Sequence, residues 1–230
     1  MKYIFFFLTF LIFKSSIIAQ NSNTTIVSSY GYEIIINHKK LPSKQIDVLG
    51  SVYIIENWTN GRVLTINNEE ISSLPLKYDL KNKELQIKFH EDVKVLSAKE
   101  IKYFELYENG DKKIYFNSRN FKCPTFRDIF IEEIIKGEKL SLYKSIEITI
   151  QKAQYVAALD AGNPSDRFIK KRSLYIVVNN DLFKLGKTKK DILSIFGDQS
   201  ILIQDYSKKN NLNLKNERHL MKIVEYYNSI

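Results

Sequence analysis

The sequence predicts an α+β protein in which a predominantly antiparallel β-sheet, arranged as a meander, is followed by a small C-terminal helical subdomain. Three observations lead to this prediction. Apolar and polar residues alternate through much of residues 24–186, and turn residues recur between the alternating segments. In the last forty residues the apolar period changes from 2 to 3.6. The expected boundaries are 1–19 for a signal peptide, 20–187 for a β-rich domain and 188–230 for a helical segment packed on it.

The N-terminus has the three-part layout of a secretory signal peptide. Lys2 supplies a short positive region, residues 3–13 form an apolar run, and the following polar stretch ends on the small residue Ala19. Cleavage is expected after residue 19 or 20. The alternative is an uncleaved membrane anchor, but Lys14 interrupts the apolar run well before the roughly 20 residues that a spanning helix needs.

The single cysteine, Cys123, bears on the destination of the chain. It lies far from the apolar run, so a lipid-anchored lipoprotein is not expected, and no later stretch is long enough for a transmembrane helix. A lone thiol also has no internal disulfide partner, and no disulfide-linked partner is expected. The predicted location is therefore exported, and periplasmic or envelope-associated.

The β-rich part is predicted from alternation and from turns. Residues 84–89 alternate strictly between apolar and polar, as in a sheet with one solvated face. Asn-Gly is the strongest short hairpin signal, because both central residues of a type I′ turn require a positive φ. Hairpin turns are predicted at residues 79–83, at Asn60-Gly61, at 108–111 and at 179–181.

Two segments interrupt the alternation. Residues 125–136 are compatible with a short helix or with a strand, because their apolar spacing fits a helix while their isoleucines favour a strand. Residues 160–166 are dense in turn formers and predict a long loop. Asp160, Asn163 and Asp166 are the nearest approach to a calcium loop, but their spacing does not fit an EF-hand, so an ordinary turn is expected.

Three short helices are predicted at the C-terminus. Thr188 and Asp191 form a capping box, and Gly197 stops the first helix. These helices are too short to be stable alone in water, so they must pack on the sheet or on each other. Their expected apolar faces are Ile192, Ile195 and Phe196; Leu202 and Tyr206, in a helix over residues 200–209; and Leu220, Ile223, Val224 and Tyr227, in a helix that starts near Asn216.

The net charge of +9 falls to +7 when the signal peptide is removed. The chain has 29 Lys but only 6 Arg, and the lysines are scattered, whereas nucleic-acid recognition favours the bidentate fork of Arg. The abundance of Ile, Lys, Asn, Tyr and Phe is also typical of an A/T-rich genome. No nucleic-acid partner is expected. Weak attraction to anionic lipid or polysaccharide, and hence peripheral membrane contact, stays open.

The sequence contains few residues arranged for chemistry. It has no Walker loop, no G-x-S-x-G and no G-x-G-x-x-G, and its three histidines lack the short spacing of metal ligands. Cys123 is expected to be buried and inert, and the paired carboxylates are expected to be solvated charges. No catalytic, cofactor-binding or metal-binding residue is predicted, and no cofactor. The histidines are His38, His90 and His219; the carboxylate pairs are Glu69-Glu70, Glu91-Asp92 and Glu132-Glu133.

Several segments together carry a resemblance. They are the signal that ends in Ile18-Ala19-Gln20, Gly-Ser-Val-Tyr at 50–53, Leu-Pro-Leu-Lys-Tyr-Asp at 74–79, Lys-Lys-Asp-Ile-Leu at 189–193 and Leu-Met-Lys-Ile-Val-Glu-Tyr-Tyr-Asn at 220–228. This layout resembles the small exported proteins, of no assigned activity, that are common in Bacteroidetes-type bacteria. The resemblance implies a periplasmic or envelope-associated protein, and the helical C-terminus favours the periplasm over outward secretion.

The functional expectation is an exported, non-catalytic envelope or periplasmic protein that acts in binding or interaction, through its sheet or its helical end. Its partner is an unknown protein, glycan or lipid of the envelope. The alternative is a carrier that holds a lipid or another apolar ligand in a half-open β structure. An enzyme would need a pocket that joins residues distant in sequence, such as His90 with Asp160 or Glu133.

Overall fold

A computed structural model describes residues 23–27, 33–37, 48–123, 128–156 and 159–230. Within these ranges the strands are β1 (Asn23–Val27), β2 (Glu33–Asn37), β3 (Thr59–Thr65), β4 (Glu70–Asp79), β5 (Glu84–Phe89), β6 (Asp92–Ser97), β7 (Ile101–Glu108), β8 (Asp111–Asn117), β9 (Phe130–Ile135), β10 (Ser141–Gln151), β11 (Gln154–Val156), β12 (Ala161–Asn163), β13 (Arg167–Val178) and β14 (Asp181–Lys184). The α-helices are α1 (Lys189–Ser194), α2 (Ser200–Lys209) and α3 (Glu217–Ser229).

Ten of these strands form one antiparallel sheet in the order β14-β13-β10-β9-β8-β7-β3-β4-β5-β6. Two meanders meet where β7 pairs with β3, and β1–β2 and β11–β12 form separate two-stranded hairpins. The predicted α+β architecture, a mostly antiparallel sheet followed by a small helical part, is confirmed. The predicted signal peptide, residues 1–19, lies outside the described residues.

Three of the predicted hairpin turns form as expected. Asn109 and Gly110 have φ values of 52° and 86°, the positive values that a tight hairpin turn needs. Asn179 and Asn180 likewise have φ values of 50° and 68°. The turn after β4 is closed by the Asp79 carboxylate, which accepts hydrogen bonds from Lys81 N and Asn82 N. Each turn joins two strands that pair directly, so local turn chemistry determines the register there.

The hairpin predicted at Asn60-Gly61 is wrong. Both residues lie inside β3, where the register with β4 shifts between Gly61 and Arg62. A Cβ at Gly61 would come within 2.1 Å of the Glu105 carbonyl oxygen in β7. Glycine is needed here for the close approach of two strands, not for a turn.

The two segments that interrupted the alternation are also resolved. Within residues 125–136, the strand alternative is correct from Phe130 onward, because Phe130–Ile135 is β9; residues 124–127 lie outside the described residues. Residues 160–166 are not a loop throughout, since Ala161–Asn163 forms β12 and pairs with β11.

The helices were predicted well in extent but less well in orientation. Thr188 and Asp191 form the expected capping box, and α2 spans the predicted residues. In α2, however, Ile203 and Ser207 are buried, whereas Leu202 is largely exposed. Asn228 of α3 fixes this end to the sheet, because its Oδ1 accepts from Leu140 N at 3.0 Å and its Nδ2 donates to Leu140 O at 2.8 Å.

The buried residues form two apolar clusters on one sheet face and a third on the other. The sheet cluster contains Phe104, which contacts the rings of Tyr78, Tyr115 and Phe130. The helix cluster packs α1, α2 and α3 onto β10 and β13 through Leu142 and Ile176 and their neighbours. Among the described residues no helix has the length and apolar character to cross a membrane.

One segment connects strands that are not neighbours in the sheet. In residues 49–54, here called the strap, Leu49 N donates to Asp166 O at 2.9 Å and Phe168 N donates to Leu49 O at 2.8 Å. Farther along the strap, Leu80 N donates to Val52 O at 2.9 Å. The strap therefore links the start of β13 to the end of β4, which shows that the sheet bends until these two strands approach each other.

Candidate functional site

A cleft of about 450 Å³ opens where the outer half of the β10–β13 hairpin faces the β4–β5 turn. β9 pairs with β10 only over Leu142–Ser145, and the pair formed by β10 and β13 continues beyond it, so this edge of β10 has no strand partner there among the described residues. The cleft is lined by Tyr78, Leu80, Lys81, Lys83, Ile129, Phe130, Ile146, Glu147, Ile148, Thr149, Ile150 and Phe168.

The cleft has an apolar wall because of strand alternation. Ile146, Ile148 and Ile150 share one face of β10, and Phe168 of β13 is the register partner of Ile150. Glu147 and Thr149 alternate with these isoleucines along the strand and also border the cleft. Ile146 and Ile148 pack against the sheet cluster, whereas Ile150 remains 46% exposed at the mouth.

The β4–β5 turn forms the opposite rim and carries two lysines. The Asp79 carboxylate is buried and accepts hydrogen bonds from Lys81 N at 2.8 Å and from Asn82 N at 2.9 Å. This local pairing fixes the turn, as is typical of aspartate side chains in turns. Lys81 and Lys83 are exposed, and Lys81 Nζ lies 5.5 Å from the centre of the Phe168 ring.

The electrostatics of the cleft are asymmetric. Burial, with the nearby carboxylates of Asp79 and Asp128, raises the pKa of Tyr78, so its hydroxyl stays neutral. The hydrogen bond from Arg119 lowers the pKa of Asp128 below its ordinary value, so this carboxylate is charged and already paired. Lys81 forms no ion pair with a described residue. The charged residues that line the cleft are Lys81, Lys83 and Glu147, so its lining carries a net positive charge beside an apolar interior.

A separate ion network lies on the opposite face of the sheet. Glu105 of β7, whose side chain is 3% exposed, accepts from Arg62 Nη2 at 2.7 Å, from Arg62 Nε at 3.2 Å and from Tyr107 Oη at 2.7 Å. Burial alone would raise the pKa of Glu105, but these hydrogen bonds outweigh it and lower that pKa. Arg62 and Tyr107 both donate to the Glu105 carboxylate. Because Arg62 lies on β3 and Glu105 on β7, this ion pair stabilises the pairing of the two strands.

A second depression, of about 430 Å³, lies beside Trp58 and Tyr107. Its aromatic groups are already engaged, which makes it the weaker candidate. Lys77 Nζ lies 4.1 Å from the centre of the Tyr53 ring and 5.7 Å from that of Trp58, and the Tyr107 hydroxyl is bonded to Glu105.

The histidines and acidic pairs remain separate. His90 lies in the turn after β5, as expected for a strand-end residue, and His219 Nδ1 accepts from Asn213 N; His38 lies outside the described residues. The prediction of solvated charge is wrong for Glu70, which pairs with Arg62 at 3.6 Å. It is also wrong for Glu132, which lies 3.5 Å from Lys144 in a largely buried pair.

The residues considered for calcium and for thiol chemistry serve other contacts. Asp160 accepts from the Tyr155 hydroxyl, and Asp166 accepts from Lys152 and from Ala153 N. Cys123 is half-buried against the third apolar cluster, a partial departure from the buried site that we expected. Across the described part of the chain, no three His, Cys, Asp or Glu side chains lie close enough to hold a metal ion.

Sequence reasoning missed the cleft, although one signal for it was present. The alternation of Ile146, Ile148 and Ile150 with polar residues predicts an apolar strand face. The pattern does not show that this face borders a cleft, because that depends on the approach of the β4–β5 turn, which is distant in sequence. The chain matches no protein-family model, no curated protein and no solved structure. Function must therefore be argued from geometry.

Proposed function

We propose that this is an exported, non-catalytic binding protein of the bacterial envelope, and that its cleft holds an amphiphilic anion. Such a ligand has an apolar portion, for example an acyl chain, and an acidic head group. The observation that carries this proposal is the apolar wall of β10 opposite the two lysines of the β4–β5 turn.

The size and lining of the cleft support this assignment. Small-molecule sites are concave, of roughly 300–1,000 Å³, and mostly apolar, with a few polar groups that orient the ligand. In this cleft the apolar portion would contact Ile148, Phe130 and Phe168, while Lys81 and Lys83 would bind the acidic group at the rim. Of the two expectations from the sequence, this geometry favours the carrier of an apolar ligand.

The shape of the sheet also supports a carrier. The bend that the strap holds in place brings β13 towards β4 without a continuous hydrogen-bond ladder between them. The exposed Ile150 at the mouth offers an entry route for an apolar chain, since burying this side chain under a ligand removes apolar surface from water.

The test is titration of the purified protein with a fluorescent fatty acid and with the matching neutral fatty alcohol. We expect saturable binding at one site and tighter binding of the acid, with native mass spectrometry showing one ligand per chain. Ile150→Asp should weaken binding by roughly tenfold or more, because it places a carboxylate where the acyl chain would lie. Lys81→Glu should abolish the preference for the acid.

Two matched controls keep this test specific. Ile66 is 51% exposed, close to the 46% of Ile150, but it does not line the cleft, so Ile66→Asp should leave binding unchanged. Lys88 is also exposed and lies outside the cleft, so Lys88→Glu should retain the preference for the acid. No saturable binding, or equal losses in Ile66→Asp and Ile150→Asp, would refute the proposal.

A further inference from the structure

The charge of the chain is distributed very unevenly. Residues 20–166 contain 20 basic and 20 acidic residues, whereas residues 167–230 contain 13 basic and six acidic residues. The +7 that remains after removal of the predicted signal peptide therefore resides entirely in β13, β14, the helices and their connections. Counting charges by region, rather than looking for a block of lysines, reveals this asymmetry in the sequence.

Seven of these thirteen basic residues lie on one surface formed by the helical end and the adjoining strands β13 and β14. Three adjoining depressions lie there: the first and second share Leu214 and Lys215, and the second and third share Lys189. We call this surface the basic face. The cations that line it are Arg172, Lys184, Lys187, Lys189, Lys190, Lys208 and Lys215.

The acidic groups nearby offset only part of the positive charge of the basic face. No Asp or Glu lines any of the three depressions, all of whose lining residues fall within the described range 159–230. Asp191 keeps its negative charge in the capping box with Thr188 and lies near Lys190, so it offsets one positive charge of the basic face. Asp205 lies 3.9 Å from Lys208, and both side chains are well exposed, so this pair is weak.

Exposed apolar side chains adjoin the same face. Ser200 and Gln204, one turn apart on α2, line the third depression. Ile201 follows Ser200 and is 71% exposed, and Leu202 is 43% exposed. Helical geometry places Ile201 on the same side of α2 as Gln204 and Lys208, which follow it by three and seven residues. Exposed apolar side chains of α2 therefore lie beside the lysines of the basic face.

We propose that the basic face docks on the surface of an anionic lipid bilayer, with the lysines near the lipid phosphates and Ile201 in the interfacial region. Six of its seven cations are lysines, which act as point charges and suit a diffuse negative surface, whereas a structured phosphate site favours the bidentate Arg fork. The exposed Ile201 favours a lipid surface over a soluble polyanion, because only the former accepts an apolar side chain.

The experiment is co-sedimentation of the purified protein with vesicles of phosphatidylcholine, alone or with roughly one-third phosphatidylglycerol. We expect binding to the anionic vesicles only, decreasing as salt is raised. Lys187→Glu combined with Lys215→Glu should weaken binding by roughly tenfold or more, because two charges are reversed. Ile201→Asp should also weaken binding to the anionic vesicles, although it leaves all the lysines in place.

A control variant with the same change in charge is available on the sheet. Lys88 and Lys99 are exposed and lie outside the basic face, so their double change to Glu should leave much of the binding intact. Equal losses in the two double variants, or equal binding to neutral and anionic vesicles, would overturn the proposal. So would binding of a soluble acidic polysaccharide without binding to the anionic vesicles. Ile150→Asp should not affect docking, which separates this surface from the ligand cleft.

Discussion

The sheet and the helical end use charged residues in opposite ways. Over residues 20–166, which contain eight of the ten strands of the main sheet, acidic and basic side chains are equal in number, and Arg62 joins Glu105 and Glu70 across three strands. From β13 to the C-terminus, basic residues outnumber acidic ones about two to one, and the cations of the basic face lie mostly exposed. Charge in the sheet therefore stabilises strand pairing, whereas charge at the helical end is available to a partner.

One ion cluster joins the two regions. Lys144 of β10 lies 3.5 Å from Glu132 of β9 and 3.1 Å from Glu217 in the first turn of α3. Glu217 also lies where the helix dipole favours a negative charge. This cluster separates the sheet cluster from the helix cluster on their shared face. The contrast between the regions is therefore one of surface chemistry, within one packed structure.

The largest effect is expected from Glu105→Ala. Removing this nearly buried carboxylate leaves Arg62 and Tyr107 without their shared acceptor, so the free energy of unfolding should fall by about 2 to 3 kcal/mol. Urea unfolding at neutral pH measures this. Glu70 is the matched control, because it contacts Arg62 at 3.6 Å on a more exposed site, and Glu70→Ala should cost less than about 1 kcal/mol. Equal losses would contradict the special role of Glu105.

The pH dependence sharpens the same comparison. Because the folded-state pKa of Glu105 is lowered, its contribution to stability is fully present above the ordinary glutamate value, about 4.3, and is lost as the pH falls through the lowered value. The difference in unfolding free energy between the native chain and Glu105→Gln should therefore shrink in acid. Urea unfolding at several pH values measures it, and a constant difference would argue against the ion pair.

The smallest effect is expected on the basic face. Lys187 and Lys215 are exposed and make no ion pair with a described residue. Lys187→Gln and Lys215→Gln should each change the free energy of unfolding by less than about 0.5 kcal/mol. Thermal or urea unfolding at low and at high salt checks this. A loss of unfolding free energy near that of Glu105→Ala would mean that these lysines stabilise the fold and are not available to bind a partner.

The sequence was sufficient where a structure depends on neighbouring residues. Asn109-Gly110 predicted its hairpin because positive φ is a local property, and Thr188 with Asp191 predicted the start of α1. Gly61 shows the limit of this reasoning. The same Asn-Gly pattern occurs there inside a strand, because the demand on Gly61 comes from Glu105 in another strand.

The candidate site depends on such distant relations throughout. Leu80 and Phe168 line one cleft only because the sheet bends, and no local pattern encodes that bend. Leu202 and Ile203 are adjacent apolar residues of α2. Packing of α2 against the sheet, and not the helical period alone, determines that Ile203 is the buried one. The charge asymmetry, by contrast, was present in the sequence and needed only to be counted by region.

The strap also has a kinetic consequence. Leu49 precedes β3 in the chain, yet its hydrogen bonds are to Asp166 and Phe168, which follow almost all of the sheet. Contacts between residues so far apart in sequence slow folding, because a long loop must close before they form. We therefore expect the cleft to be completed late, after most of the strands have paired. A chain that emerges N-terminus first would acquire its binding site only once β13 has arrived.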